Sequence, residues 1–166
     1  MADGDSNRTD SSRDDPNRND PTRGNPTRRA RATGIDHIGI AVRSLDASVP
    51  IFERVLGAAP HSIESLPEHG VRVAVFLIGD DRIELLEPLG ESSPIAKFLE
   101  KRGEGLHHIS IAVGDVDGAL ARLDALGVPL IDRAARDGAE GKRVAFVHPK
   151  GTGGILIEFS EDPRSD

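Results

Sequence analysis

Apolar and polar positions alternate with period two over residues 35–42, and again over 107–113. Ile38, Ile40 and Val42 share one face of the first segment; Ile109, Ile111 and Val113 share one face of the second. Each segment reads as a strand and leads to a helix N-cap residue, Ser44 or Asp115. Amphipathic helices follow over about 46–56 and 116–126 and stop at Gly57 and Gly127. Pro50 is expected in the first turn of its helix, where a missing N–H costs little. A short strand comes next in each half, then a hairpin: 71–78 with 82–87, and 142–148 with 155–160. Gly79, Asp80 and Asp81 make the first hairpin turn.

The two halves are copies. Asp36-His37-Ile38-Gly39-Ile40-Ala41-Val42 matches His107-His108-Ile109-Ser110-Ile111-Ala112-Val113 at an offset of 71 residues. Ser44 to Ala47 and Arg72 to Val75 recur at the same offset, and Ile83-Glu84-Leu85 recurs as Ile157-Glu158-Phe159 at 74. The three extra residues fall in the glycine-rich turn holding Gly151, Gly153 and Gly154. The pattern predicts an α+β fold of two tandem βαβββ modules, about 34–90 and 105–161. A linker helix over 94–102 joins them, with Ser93 as N-cap and Pro94 at its first position. Residues 1–33 have only Met1, Ala2, Ala30 and Ala32 as apolar positions, and read as a disordered polar tail. Residues 162–166 read as a short C-terminal tail.

The faces opposite the helices carry unusual chemistry. His37, Gly39 and Ala41 share one; His108, Ser110 and Ala112 share the other. On the hairpins, Glu84 and Glu158 face away from the helix side. The duplication therefore brings two His and two Glu to one open face. Two imidazoles and two carboxylates suit Zn, Co, Ni, Mn or Fe(II). The small residues would leave space for a substrate. His107 has the opposite parity and is expected on the back or in support; His148, beside Pro149, reads as a turn or substrate-contact residue.

Composition removes other classes. The chain has no Cys, Trp or Tyr and a net charge of -7. That argues against disulfide scaffolds, thiolate chemistry, aromatic base stacking and binding to nucleic-acid phosphates. No apolar run reaches the length of a membrane span, so a soluble cytoplasmic protein is expected.

Several stretches resemble the vicinal-oxygen-chelate superfamily with its glyoxalase/bleomycin-resistance/dioxygenase fold, and within it the methylmalonyl-CoA epimerases. They are 35–42, 67–71, 83–89, 93–99, 105–109 and His148-Pro149-Lys150. The resemblance implies a curved, cleft-bearing sheet and a divalent metal, usually cobalt, held by His37, Glu84, His108 and Glu158. Many epimerases have Gln in place of Glu84. It also implies a homodimer, methylmalonyl-CoA as substrate, and Glu158 as the proton carrier. Gly39, Ser110 and Lys150 are the implied substrate contacts, and Lys97, Lys101, Arg102, Lys142, Arg143 and Lys150 are candidates for CoA phosphates. Some epimerases use a third-strand Glu where this chain has Val73, leaving Glu68 or bound water as the second proton carrier. A glyoxalase I-like lyase, an extradiol dioxygenase and a non-enzymatic binding module of the same fold are the alternatives.

Overall fold

A computed structural model of the chain describes residues 29–163. The first module contains β1 (Ala32–Ala41), α1 (Leu45–Leu56), β2 (Ser62–Leu66), β3 (Val71–Ile78) and β4 (Asp81–Pro88). The linker helix is α2 (Pro94–Arg102). The second module contains β5 (Gly105–Val113), α3 (Val116–Ala125), β6 (Arg136–Asp137), β7 (Arg143–Val147) and β8 (Leu156–Glu161). The architecture is α+β, with one eight-stranded curled sheet in the order β2-β3-β4-β1-β5-β8-β7-β6. Each first strand pairs parallel with its module's last, β1 with β4 and β5 with β8. The modules meet where β1 and β5 pair antiparallel. Ile38 opposite Ile109 marks a local pseudo-two-fold axis, because these residues are equivalents in the repeat.

Helices α1 and α3 pack on one side of the sheet, as the alternation predicts. Val42, Leu45, Ala74, Phe76 and Leu85 form the core under α1. Val113, Val116, Ala119, Leu120 and Phe159 form the core under α3. A third core lies on the other side, where Ile95 and Leu99 of α2 cover Ala41, Val71, Val73 and Leu86. The linker helix thus closes one end of the open face, and Ala41 is fully buried instead of leaving room there.

A duplicated ion cluster fastens each helix to its sheet. Glu87 accepts the Leu45 N–H at 2.7 Å, and Glu161 accepts the Val116 N–H at 3.0 Å. Both amides are at the first position of a helix, where the backbone lacks intrahelical partners. Each carboxylate also faces an arginine: Glu87 meets Arg72 at 3.6 Å, Glu161 meets Arg143 at 3.3 Å. The arginines continue to Asp46 at 3.3 Å and Asp117 at 2.6 Å. Glu161 is only 2% exposed, and its amide and guanidinium donors offset the desolvation of a buried charge. Arg143 and Asp117 are thus structural partners, and Arg143 is not a free cation for phosphate.

Four details differ from the sequence reading. Pro50 is inside α1, beyond its first turn, which covers Leu45 to Ser48. The short strand before the second module's hairpin, β6, shrinks to Arg136–Asp137, followed by Gly138 and a 3-10 turn. Strand β1 starts at Ala32, since β5 continues far enough to pair Ala32 with Val113. The boundary of the polar tail also moves. Residues 1–28 and 164–166 lie outside the described residues, but 29–33 belong to the domain. Ala30 is 4% exposed within the α3 core, the Arg29 carbonyl accepts Gly114 N–H at 2.8 Å, and Thr33 donates to the Ala112 carbonyl at 3.0 Å.

Those contacts make the truncation boundary measurable. Deleting residues 1–28 leaves the melting temperature unchanged, because that stretch offers only Met1 and Ala2 as apolar groups. Deleting 1–33 costs roughly 2 kcal/mol, from one small apolar group and two hydrogen bonds. Equal melting temperatures for the two truncations would show that the 29–33 contacts contribute nothing.

Candidate metal centre

Register across the central strands decides which groups meet. His37 lies opposite Ser110, and Gly39 opposite His108. On the flanks, Glu84 pairs with Gly39 and Glu158 pairs with Ser110. Each His therefore sits across the pseudo-axis from the other module's small residue. A Cβ on Gly39 would approach the His108 Nδ1 to 2.5 Å, so glycine is what lets that ring lie over β1. Ser110, the equivalent residue, is fully buried, and its hydroxyl donates to Glu158 Oε1 at 2.8 Å. The space expected for substrate at these two positions is taken by the site itself. Gly39 and Ser110 support His108 and Glu158.

The rings converge through the same atom. His37 Nε2 and His108 Nε2 are 2.8 Å apart. Glu158 Oε1 is 3.8 Å and Glu84 Oε2 3.7 Å from His37 Nε2. His37, His108 and Glu158 each offer a ligand atom within 4.8 Å of the others. Glu84 approaches His37 but stands outside that mutual group. All three members are buried, with exposures of 8%, 6% and 8% in chain order.

Two bulges complete the site. Between Ile35–Ile111 and His37–Ser110 the register shifts, leaving Asp36 as an extra residue on β1. Between Gly39–His108 and Ile40–Leu106 it shifts again, leaving His107 extra on β5. Asp36 and His107 are equivalent in the repeat, and each turns back to the following histidine ring. Asp36 Oδ2 is 3.2 Å from His37 Nδ1, and His107 Nδ1 is 2.9 Å from His108 Nδ1. The His107 ring also stands edge-on to Phe98 of α2, with centroids 4.9 Å apart. His107 is thus a supporting residue, which strand parity alone could not place. Asp36 was not legible as part of the site: a bulge has no signature in the alternation it interrupts.

The two imidazoles have opposite electrostatics. Burial disfavours charge on His37, but the Asp36 hydrogen bond and the fields of Glu84 and Glu158 outweigh it, so its pKa is raised above 6.5. His108 is pushed down to about 3 by burial and by its neighbours His37 and His107. His107 is pushed down to about 4 by burial. Burial raises Glu158 against the opposing pull of His37 and Ser110. Burial also opposes charge on Asp36. Its bonds to His37 and Lys142 and the nearby Arg82 charge nevertheless hold it well below the usual carboxylate range.

Other predicted residues lie elsewhere. Lys142 is 2.7 Å from Asp36 and 3.1 Å from Asp162, so it is engaged within the protein. Val73 is 5% exposed in the apolar core under α2. Glu68 is exposed on the 3-10 turn Pro67–His69. Lys150 is exposed on the turn Pro149–Gly151, where its N–H donates to His148 Nδ1 at 3.0 Å. His148 is therefore a turn residue. A cavity of about 270 Å³ lies between that turn and α2, lined by Phe98, Arg102, His107, Pro149 and Leu156 among others.

A duplicated βαβββ sheet with paired His and Glu on its open face defines a class, and the chain belongs to the Glyoxalase/Bleomycin resistance protein/Dioxygenase superfamily, whose model matches residues 36–146. It is 40% identical over 129 residues to the ethylmalonyl-CoA/methylmalonyl-CoA epimerase of Cereibacter sphaeroides, a match covering 76% of this chain and 96% of the relative. It is 39% identical over 128 residues to the mitochondrial methylmalonyl-CoA epimerase of Homo sapiens, covering 76% of this chain and 73% of that one. A solved methylmalonyl-CoA epimerase in complex with methylmalonyl-CoA and NH4+ shares the fold with a TM-score of 0.74 at 38% identity, covering 80% and 96% of the two chains.

Two outcomes follow from this geometry. Gly39→Ala displaces the His108 ring and lowers divalent-metal affinity by at least about tenfold, on the order of 1.4 kcal/mol of binding. Calorimetric titration checks it; unchanged affinity would mean the ring has room to move without leaving the centre. Second, a proton competes with metal at His37, whose raised pKa keeps the proton on to higher pH than an ordinary imidazole. Metal affinity is complete above that pKa and falls as pH drops through it. An affinity flat from pH of about 8 to about 5.5 would exclude His37 as a ligand.

Proposed function

We propose that the chain interconverts the (R) and (S) epimers of methylmalonyl-CoA by removing and returning the α-proton. The observation that carries this reading is the buried convergence of His37 Nε2, His108 Nε2 and the Ser110-held carboxylate of Glu158. Kinship to epimerases of 39–40% identity supports the substrate class.

The donor set fits a divalent cation: two imidazole nitrogens 2.8 Å apart, each with its Nδ1 engaged behind it, and a carboxylate within reach. His37, His108 and Glu158 would hold the ion, with Glu84 at the edge of the set; cobalt is the proposed metal, with Mn, Ni and Zn compatible. Such an ion, when bound, would supply positive charge to offset the negative charge that develops as the α-proton leaves.

The chain's own groups do the rest. Glu158 takes the α-proton on its unshared oxygen, Ser110 having fixed Oε1. Burial raises its pKa and keeps it a useful base beside a cation. Return of a proton to the opposite face inverts the centre. Glu68 is the proposed carrier on that side: it belongs to the first module, and no ion pair engages it among the described residues. Val73 offers no titratable group. The cavity bounded by α2 and the Pro149–Gly151 turn is the proposed path for the CoA arm, with Arg102 and Lys150 toward its phosphates. No described helix is long and apolar enough to cross a membrane. A cytoplasmic homodimer is part of the same proposal and rests on the family resemblance.

The test is exchange of the α-proton of methylmalonyl-CoA in deuterated water, with and without chelator. Exchange that chelator abolishes and divalent metal restores is expected; none in the metal-loaded protein would overturn the reading. Glu158→Gln lowers turnover by about 10²–10⁴-fold while metal is retained, the range of general acid–base catalysis. Glu84→Gln is milder. Near-normal exchange in metal-loaded Glu158→Gln would leave Glu158 a ligand only, with Glu68→Gln tested next.

A further inference from the structure

We propose that Asp36 is the positioning residue of the centre, fixing the ring orientation and tautomer of His37 so that a bare Nε2 faces His108 and Glu158. The inference deepens the metal reading and rests on it.

The carboxylate divides its oxygens. Oδ1 accepts from Arg82 at 2.8 Å and from Lys142 at 2.7 Å; Oδ2 is left for His37 Nδ1 at 3.2 Å. Arg82 comes from β4 of the first module, while Lys142 comes from the second, just before β7. Both are themselves anchored, Arg82 by Glu140 at 3.0 Å and Lys142 by Asp162 at 3.1 Å. Asp36 is therefore held from both modules. A carboxylate so held can only accept, so the His37 Nδ1 must donate, and once the ring is neutral its Nε2 is the nitrogen left without a proton. At the equivalent bulge stands His107, a group able to donate or accept. The repeat thus gives one ligand ring a fixed tautomer and the other an adjustable one.

Asp36→Asn tests this sharply. Two cations on the Oδ1 side would draw the amide oxygen to themselves and leave the NH₂ group facing His37. The ring would then accept at Nδ1 and carry its proton on Nε2, blocking the ligand atom. The expected result is a loss of Co2+ affinity by about 10–100-fold, read by calorimetry, the usual effect of losing such a partner. Ring ¹⁵N shifts, followed upward in pH until the His37 ring has lost its second proton, should show it protonated on Nδ1 in the wild type and on Nε2 in the variant. Lys142→Met, which leaves the His37–Asp36 contact in place, should lower affinity by a smaller factor. Folded Asp36→Asn with wild-type Co2+ affinity would overturn the proposal. So would a wild-type His37 protonated on Nε2, a measurement that needs no variant. If wild-type protein binds no Co2+, the metal reading fails, and the ring shifts alone still decide what Asp36 does.

Discussion

Everything at the centre depends on one antiparallel pairing, that of β1 with β5 about Ile38 and Ile109. A single two-residue slip in that register would separate His37 from His108 by one full repeat of the pleat. The hairpins then follow, because β4 and β8 are bound parallel to the two central strands and carry Glu84 and Glu158 beside Gly39 and Ser110. The constraint is strong because the opposite faces of β1 and β5 supply Ile40, Ile111 and Val113, with Val42 just past β1, to the cores beneath α1 and α3. A one-residue slip would turn those side chains toward the open face.

Most of the fold was legible because it is written twice. The alternation at 35–42 and 107–113, the caps at Ser44 and Asp115 and the Gly57 and Gly127 stops each had a copy to check against. The convergence of His37, His108 and Glu158 was legible for the same reason, since period two puts them on one face. What the alternation could not carry was irregular. A bulge changes parity at one residue, so the alternation leaves His107 between the back and a supporting place and gives no sign of Asp36. The linker helix is visible as a helix but its place on the sheet is not, so the alternation presents Ala41 as open space, whereas it contacts Ile95 and Leu99. Ala30 looked like an isolated apolar residue in a polar tail because its partners, in α3 and the adjoining strands, are distant in sequence.

The charges follow the same economy. Among the described residues, the titratable groups at the centre and under α3 have partners on more than one side. Asp36 is met by two cations and an imidazole; Glu161 by an amide and a guanidinium; Glu158 by a hydroxyl and the His pair. Such networks resist rearrangement, since moving one member leaves another buried without a partner. That rigidity suits a centre whose two ring nitrogens must be held a fixed distance apart.

The pseudo-axis has an evolutionary side. A single βαβββ unit pairing with a copy of itself across its first strand would form an isologous dimer, with the same His and Glu supplied twice at the interface. In such a dimer every change is made in both copies, and the residue before each central His has to be identical. Joining the copies in one chain lifts that restriction. Position 36 could become an acid while position 107 became an imidazole, and a centre born symmetric could acquire a strong side and a pliable one.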